Sequence, residues 1–206
     1  LMVGSSNTTD PSSDPGNQIA GFDVRWKLPG RIPVAFYGQA MGEDEAGKLP
    51  SKWLTLAGLE TWGSVGGGTW RVHAEAADTA CDGFRGKPLY GCGYTHYVYT
   101  AGYNYRGRSI GHAMGGDGRM YALGGLYVDA EGTTWQASVR SVELNRAGFI
   151  PFHPVSRGSS KAVDADLSVA RAFRFGTLKL GLGYSDTRSG TYDSGFRGFL
   201  EWSTGL

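Results

Sequence analysis

The most concentrated set of chemically capable side chains lies in one polar stretch, residues 79–118. It combines tyrosine rings, arginine guanidinium groups, and histidine and aspartate side chains. Sugar recognition uses aromatic rings against apolar sugar surfaces, polar groups for hydroxyls and planar arginine forks for acidic sugars. The candidate residues are His96, Tyr99, Tyr103, Tyr105, Arg106, Arg108, His112 and Asp117. The same groups could instead bond to one another and fold the stretch into a plug, so both interpretations stay open.

Two other polar stretches are weaker candidates. Residues 42–52, GEDEAGKLPSK, include three acidic side chains that could hold calcium, namely Glu43, Asp44 and Glu45. The stretch lacks the spaced ligands of an EF-hand, so a solvated loop is favoured. Residues 145–161 could add surface for a polysaccharide, although their prolines are typical of a stiffened loop. The side chains available there are Phe149, Phe152, His153 and Arg157.

Enzyme chemistry is not predicted. A hydrolase would need a nucleophile within reach of a histidine base, and Ser109 near His112 lies in no recognisable nucleophile motif. The glycine clusters GSVGGG and MGGDG lack the GK[ST] ending of a phosphate-binding loop. His73, between Arg71 and Glu75, is more typical of a charge network than of a catalytic base. We expect no enzyme activity, no metal site and no cofactor.

Cys81 and Cys92 are the only cysteines. Two ligands at this spacing lack the CxxC grouping of zinc sites. A disulfide that closes one polar loop is favoured and would indicate an oxidising compartment. Two unrelated free thiols are the alternative.

The elements that position these stretches are predicted by a hydrophobic alternation with a period of two residues. Trp70, Val72 and Ala74, for example, share one face of a strand, while Arg71 and His73 share the other. Helical periodicity is nearly absent, so the predicted fold class is all-β. We predict strands at residues 18–27, 32–41, 53–62, 68–78, 119–128, 133–144, 162–173, 176–185 and 194–204. A tenth strand within residues 96–105 is an alternative.

The links between these strands alternate in length. Short links occupy residues 27–31, 63–68, 130–132 and 174–175, and long links occupy residues 42–52, 79–118, 145–161 and 186–193. Outer-membrane barrels show this pattern, with tight periplasmic turns and long extracellular loops, whereas a β-sandwich has no reason to sort its loops. The strands also have the length of about 9–11 residues that crosses a bilayer at a tilt. The pattern predicts a transmembrane antiparallel β-barrel.

The composition agrees with this class. The chain has 206 residues, 34 of them glycine, without a collagen period, and the 13% of aromatic residues argue against disorder. The net charge of +1 gives no indication of a nucleic-acid partner. No signal peptide and no apolar run of about 20 residues is visible. The mean hydropathy of −0.28 is compatible with alternating strands, whose two faces average out.

Charges on the polar side of the strands would face a wet lumen. They are Asp23, Arg25, Arg71, Glu75, Asp164, Asp166, Lys179 and Arg197. Nine strands is an odd number, while bacterial single-chain barrels normally have an even number. We therefore expect the C-terminal part of a longer protein.

Several stretches resemble the Wzi family of capsule assembly proteins. They are YGQAMGEDEAGKLPSKWLTLAGLE (37–60) and THYVYTAGYNYRGRSIGHAMGGDGRMYALGG (95–125), with DPGNQIAGFDVRWKLPG (14–30) and HAEAADTAC (73–81) also fitting. YRGRSIGH is the most specific string, and the matches follow the family's order. They cover most of residues 14–125, whereas the final third matches only as generic barrel strands.

The resemblance implies an eighteen-stranded outer-membrane barrel of Gram-negative bacteria, plugged by loops and a periplasmic helical element. It also implies a surface lectin, not an enzyme, that organises or anchors capsular polysaccharide. Residues 1–206 would then be the C-terminal part of one barrel domain, with strands ten to eighteen, a plug at 79–118 and long loops outside the cell. The expected partners are capsular or extracellular polysaccharide, outer-membrane lipids and the missing N-terminal half. A channel or porin for small solutes is the alternative.

Overall fold

A computed structural model describes residues 19–46, 49–95, 102–148, 150, 153–190 and 193–204. Nine strands form one antiparallel sheet in chain order, and two short strands pair separately. The strands are β1 Ile19–Lys27, β2 Val34–Ala46, β3 Leu49–Val65, β4 Gly68–Asp78, β5 Asn104–Tyr105, β6 Arg108–Ser109, β7 Arg119–Val128, β8 Thr134–Leu144, β9 Ser160–Phe173, β10 Gly176–Ser189 and β11 Gly195–Ser203. A single 3-10 turn, Gly83–Arg85, is the one helical element in these ranges. The all-β prediction is confirmed.

The strand number and several strand ends differ from the prediction. The described residues contain eleven strands rather than nine, and the two additional ones, β5 and β6, are too short for alternation to reveal them. The prediction of a solvated loop over residues 42–52 is wrong for residues 42–46 and 49–52, because β2 runs to Ala46 and β3 starts at Leu49 and the two strands pair beyond the apolar part of the sheet. Opposite charges face each other there, Glu43 beside Lys52, which favours strand pairing. Similarly, β10 continues to Ser189 through an irregularity in its register.

One side of the main sheet, here called the apolar face, is hydrophobic across all nine strands. Its register aligns Val72, Gly125, Ala137 and Leu167 on four neighbouring strands. Many of its large side chains are exposed: Phe22, Val24, Trp26, Phe36, Leu59, Tyr121, Leu123, Trp135, Val139, Leu182, Phe196, Leu200 and Trp202. A surface of this extent exceeds what a water-facing sheet normally shows. Among the described residues, no helix has the length and apolar character needed to cross a membrane.

The opposite side, the charged face, carries ion pairs between strands. Glu60 of β3 is fully buried between Arg71, on the neighbouring strand β4, and Arg25, on β1, which lies beyond β2 in the sheet. The Arg25 Nε donates to Glu60 Oε1 at 2.6 Å. A second group centres on Arg140, whose guanidinium lies 3.3 Å from Asp164 and 2.8 Å from Asp166. Such pairing satisfies charges that would otherwise be costly on a partly enclosed surface.

Several glycines on the charged face lie under an aromatic ring that comes from the neighbouring strand of the sheet. Gly58 is paired with Tyr37, and a Cβ on that glycine would lie 2.2 Å from the tyrosine ring. Gly181 stands in the same relation to Phe199, at 2.1 Å. These glycines therefore allow an aromatic side chain to lie flat across the neighbouring strand.

The sheet is open within the described residues. In its strand order, β1 and β11 form the two edges and each has one neighbour. Its hydrophobic core is a small cluster, Ala77, Met114, Val142 and Leu144, in which Met114 comes from the segment after β4. Since Ala77 and Val142 lie on the charged face, this segment packs over that face at the end where β4 finishes.

Candidate functional site

The segment between β4 and β7, residues 79–118, is tied to the sheet by Asp78. This carboxylate is completely buried. It accepts hydrogen bonds from Arg119 Nε at 2.7 Å, from Arg146 Nη2 at 2.6 Å and from the Ala80 amide at 3.0 Å. Asp78 therefore joins the ends of two strands, β4 and β7, to the loop that follows β8.

A second buried carboxylate, Asp117, closes the other end of the segment. Both of its carboxylate oxygens accept from the Gly91 amide, at 3.0 and 2.8 Å, and its own carbonyl accepts from the Arg146 amide. Burial raises the pKa of Asp117 to about 6, against the opposing effects of the Gly91 hydrogen bonds and of Arg146. Asp117 thus organises the backbone and has no exposed surface for a ligand.

A disulfide joins Cys81 to Cys92 across a separation of 11 residues. Within the loop it closes, the Leu89 amide donates to the Cys81 carbonyl at 2.8 Å. The Asp82 amide donates to the Trp53 carbonyl at 2.8 Å, which fixes the loop to β3. Residues 81–92 are therefore held as a compact unit at the sheet end.

One exposed part of the segment is a small β-hairpin, here called the tip hairpin, formed by β5, β6 and their turn. Arg106 and Gly107 occupy the turn with φ of 50° and 76°. Two successive positive φ values define a type I′ turn, which matches the twist of a two-residue hairpin. The Arg106 guanidinium lies 5.3 Å from the centre of the Tyr105 ring, and that ring is 64% exposed.

Below the tip hairpin, two tyrosines and a histidine line a cavity of about 340 Å³ on the charged face. The rings of Tyr94 and Tyr103 stack with centres 5.9 Å apart. The Tyr94 hydroxyl accepts from the His112 amide at 3.2 Å, and burial lowers the pKa of His112 below its ordinary value. Gln39 reaches the cavity from β2 and supplies an amide to its wall.

The structure separates the predicted site residues into two groups. Exposed together at the tip are Tyr103, Tyr105, Arg106 and Arg108, with His112 half-buried beneath them. Asp117 lies apart in the interior. His96, Tyr99, Phe149 and Phe152 fall outside the described residues, as do the side chains of Asp44 and Glu45. Within the described ranges, no group of three or more His, Cys, Asp or Glu could hold a metal ion.

Sequence reasoning missed the residues that fix the segment in place, above all Asp78, Arg119 and Arg146. One signal was available: Asp78 follows Trp70, Val72, Ala74 and Ala76 on the apolar face and interrupts their alternation. A charge at the end of an apolar stripe indicates where a strand leaves its apolar environment.

His153, after β8, is held as a neutral ring. Its Nδ1 accepts from the Ser156 amide at 2.9 Å and from the Val155 amide at 3.2 Å. Its Nε2 therefore carries the proton and donates to the Gly116 carbonyl at 3.0 Å. Burial is the largest cause that lowers the pKa of His153.

This geometry predicts a pH-dependent contribution to stability from His153. Because its folded-state pKa is below the unfolded value of about 6.5, the contribution is fully present above that pH and is lost as the pH falls from there toward the folded-state pKa. We expect the difference in unfolding free energy between wild type and His153→Gln to shrink between pH 7.5 and 5.5, because the lowered pKa of His153 makes protonation of the folded state unfavourable. Denaturant unfolding of both proteins in parallel measures this difference. The pH-dependent contributions of Asp117 and His112 cancel in the difference, because both proteins contain these residues. A difference that is constant with pH would contradict the prediction.

Comparison with known proteins connects this architecture to a family. The family described as capsule assembly protein Wzi matches residues 2–198. A Klebsiella pneumoniae protein, described as an uncharacterized 55.8 kDa protein in the cps region, is 36% identical over 141 residues, which are 68% of this chain and 27% of that protein. A solved structure of Wzi from Escherichia coli is similar with a TM-score of 0.78 and 29% identity, over 89% of this chain and 40% of that one. That protein is described as an outer membrane protein involved in group 1 capsule assembly and as a carbohydrate-binding β-barrel.

The chain thus spans less than half the length of both relatives. The match to the family extends over residues 2–198, which include the segment that carries the tip hairpin and all strands of the sheet except the end of β11. The chain belongs to the Wzi family of capsule assembly proteins.

Proposed function

We propose that this chain forms part of the wall and the extracellular end of an outer-membrane β-barrel that binds capsular polysaccharide. The observation that carries the proposal is the combination of an exposed apolar face with a folded segment at one sheet end, where tyrosines and arginines are exposed together. The description of the E. coli relative as a carbohydrate-binding outer-membrane barrel supports it.

The two faces of the sheet support a place in the membrane. Lipid-facing strands of outer-membrane barrels alternate with apolar residues outward and polar residues inward. Here Leu182 and Leu200 point to one side with 69% of their surfaces exposed, while the Glu60 and Arg140 pairs lie on the other. Lipid would cover the apolar face, and water would fill the space beside the charged face.

The open edges support the view that further strands complete the barrel. β1 and β11 each leave one row of backbone groups without a neighbour in the sheet, and barrels remove such edges by closure. In our proposal the nine strands of the main sheet are strands ten to eighteen of an eighteen-stranded barrel. The N-terminal half would pair with both edges.

The tip hairpin supports the glycan site. Tyr103 and Tyr105 offer rings that are 43% and 64% exposed, and the neighbouring arginines offer planar donors for acidic sugars. The backbone of the type I′ turn is already ordered in the free protein. Binding therefore costs little additional conformational entropy in the turn that presents these groups. The segment at 79–118 would also plug the barrel through Met114, so the plug and glycan-contact hypotheses are compatible.

The test is a charge-removing double variant, Arg106→Asn with Arg108→Gln. Asparagine tolerates the positive φ at position 106, so the turn is kept while both guanidinium groups are lost. We expect the affinity for an acidic capsular polysaccharide to fall about tenfold, as for two exposed charge pairs of about 0.7 kcal/mol each. Surface plasmon resonance on the complete protein in detergent measures it.

A matched control is Arg174→Gln. Arg174 lies over the Phe175 ring at 5.4 Å, much as Arg106 lies over Tyr105, but in the turn at the opposite end of the sheet. It should leave polysaccharide affinity unchanged. Normal binding by the double variant would mean that the tip hairpin serves only as part of a plug.

A channel for small solutes is the second candidate, favoured by the ion pairs and the cavity of about 610 Å³ on the charged face. Single-channel recordings of the complete protein in planar bilayers separate the two functions. Steady conductance without polysaccharide binding would support the channel, whereas binding without conductance would support the lectin.

A further inference from the structure

A row of alternating charges crosses the apolar face at the end where the 79–118 segment begins. The register pairs Asp78 with Arg119, Arg119 with Glu143, and Glu143 with Lys161, on four neighbouring strands. Paired residues share a face, so this row stands directly above the apolar surface. Two residues further along the strands, the same face carries Ala76, Tyr121, Ser141 and Val163. The row thus marks the boundary of the apolar band.

A cleft of about 560 Å³, here called the rim cleft, opens over this row. Its wall combines two aromatic rings, from Phe84 and Tyr90, with three cations, from Arg119, Arg146 and Lys161. The Arg119 guanidinium lies 5.5 Å from the Phe84 ring centre, and that of Arg146 lies 5.3 Å from Tyr90. The disulfide-closed loop, which contributes both rings, therefore projects onto the membrane-facing side of the wall.

The three cations are held to different degrees. The side chain of Arg146 is 8% exposed and that of Arg119 is 27% exposed, and both are anchored by Asp78. The side chain of Lys161 is 56% exposed and pairs with Glu143 at 2.6 Å. The anchored arginines fix the shape of the cleft and supply positive potential, while Lys161 can exchange its partner at the surface.

We infer that the rim cleft binds the phosphorylated sugar headgroup of an outer-leaflet glycolipid. This rests on the proposed function, because it requires the apolar face to meet lipid. A phosphate at the level of the headgroups would meet Lys161 and Arg119, and the sugar ring would meet Phe84 and Tyr90. The lipid chains would continue along Tyr121 and Leu123 below. A soluble polysaccharide is not favoured here, because the cleft adjoins the exposed apolar band and lies away from the tip hairpin.

The inference is tested with two charge-removing variants of opposite sign, Lys161→Gln and Glu143→Gln, in the complete protein. The probes are lipid A with both phosphates, the same lipid A after dephosphorylation, and dioleoylphosphatidylglycerol, each measured by native mass spectrometry. We expect Lys161→Gln to lower the affinity for phosphorylated lipid A about fivefold, as for one cation near a membrane surface. Glu143→Gln should raise it, because it removes the competing carboxylate.

The control is Lys27→Gln, which removes a cation over the Trp62 ring on the charged face at the opposite end of the sheet. It should leave lipid A affinity unchanged. Equal binding of phosphorylated and dephosphorylated lipid A, or an equal loss in Lys27→Gln, would overturn the inference. The same Lys161 dependence for phosphatidylglycerol would overturn the assignment to a glycolipid.

Membrane insertion and polysaccharide binding, measured on the same samples, distinguish the two levels of proposal. If the protein inserts and binds polysaccharide, but its lipid A affinity is the same in the Lys161 and Glu143 variants, only the inference about the rim cleft is overturned. A complete protein that does not insert overturns the proposed function and the rim cleft with it.

Discussion

Asp78→Asn is expected to lower the free energy of unfolding by about 3–5 kcal/mol, the range for breaking a buried ion pair by removing one partner. The asparagine amide keeps the size of the carboxylate but removes the buried charge that anchors both Arg119 and Arg146. Equilibrium unfolding in guanidinium measures the total effect. Hydrogen exchange should locate the loss at both ends of residues 79–118, because Asp78 accepts from the Ala80 amide and anchors Arg119, which directly follows the segment.

The matched control is Asp117→Asn. Asp117 is equally buried, but its carboxylate accepts from a backbone amide, which the asparagine oxygen can replace. Burial raises the pKa of Asp117, so loss of its charge relieves part of the cost of burying it. A change of less than about 1 kcal/mol is expected, as for a neutral hydrogen bond that is replaced. Equal losses in both variants would contradict a specific role for the Asp78 ion pairs.

Removal of the disulfide is expected to have the second-largest effect. The double variant Cys81→Ser with Cys92→Ser should lower the unfolding free energy by about 2–3 kcal/mol, from the chain entropy of so short a loop. The effect should be local, with faster exchange of the Leu89 amide, which donates to the Cys81 carbonyl. Thermal unfolding and hydrogen exchange together measure it.

Reduction of the wild-type protein provides the comparison for that variant. Reduced wild type and the double serine variant should unfold alike, since both lack the same cross-link. The β8–β9 pairing, which does not involve the loop, should keep its exchange rates in both. Unchanged stability in both would mean that hydrogen bonds alone hold residues 81–92.

The sheet could be predicted because its faces follow a period of two residues. A slip of one residue would move Leu180 and Leu182 to the charged face, so the alternation fixes the register wherever one side is apolar. Alternation does not fix the ends of strands. Glu43 and Lys52 looked like loop residues because they lie beyond the apolar band, yet they face each other across a hairpin.

The candidate site was predictable only in its residue types. The residue types of Tyr105 and Arg106 indicate sugar binding. Their joint exposure, however, depends on the positive φ of Arg106, which the composition does not reveal. The ion pairs of Asp78 reach partners 41 and 68 residues away. Such pairings are set by which strands become neighbours, so no local pattern contains them.

The rings that lie over glycines have an evolutionary consequence. In each of the pairs Tyr37–Gly58 and Phe199–Gly181, one residue has an aromatic ring and the residue paired with it on the neighbouring strand has no side chain. Two large side chains cannot share that place, since even a Cβ would come within 2.2 Å of the ring. The two positions should therefore covary among relatives, with a side chain gained on one strand only where the ring is lost from its neighbour. In an alignment of the family, such exchanges would report strand pairing directly.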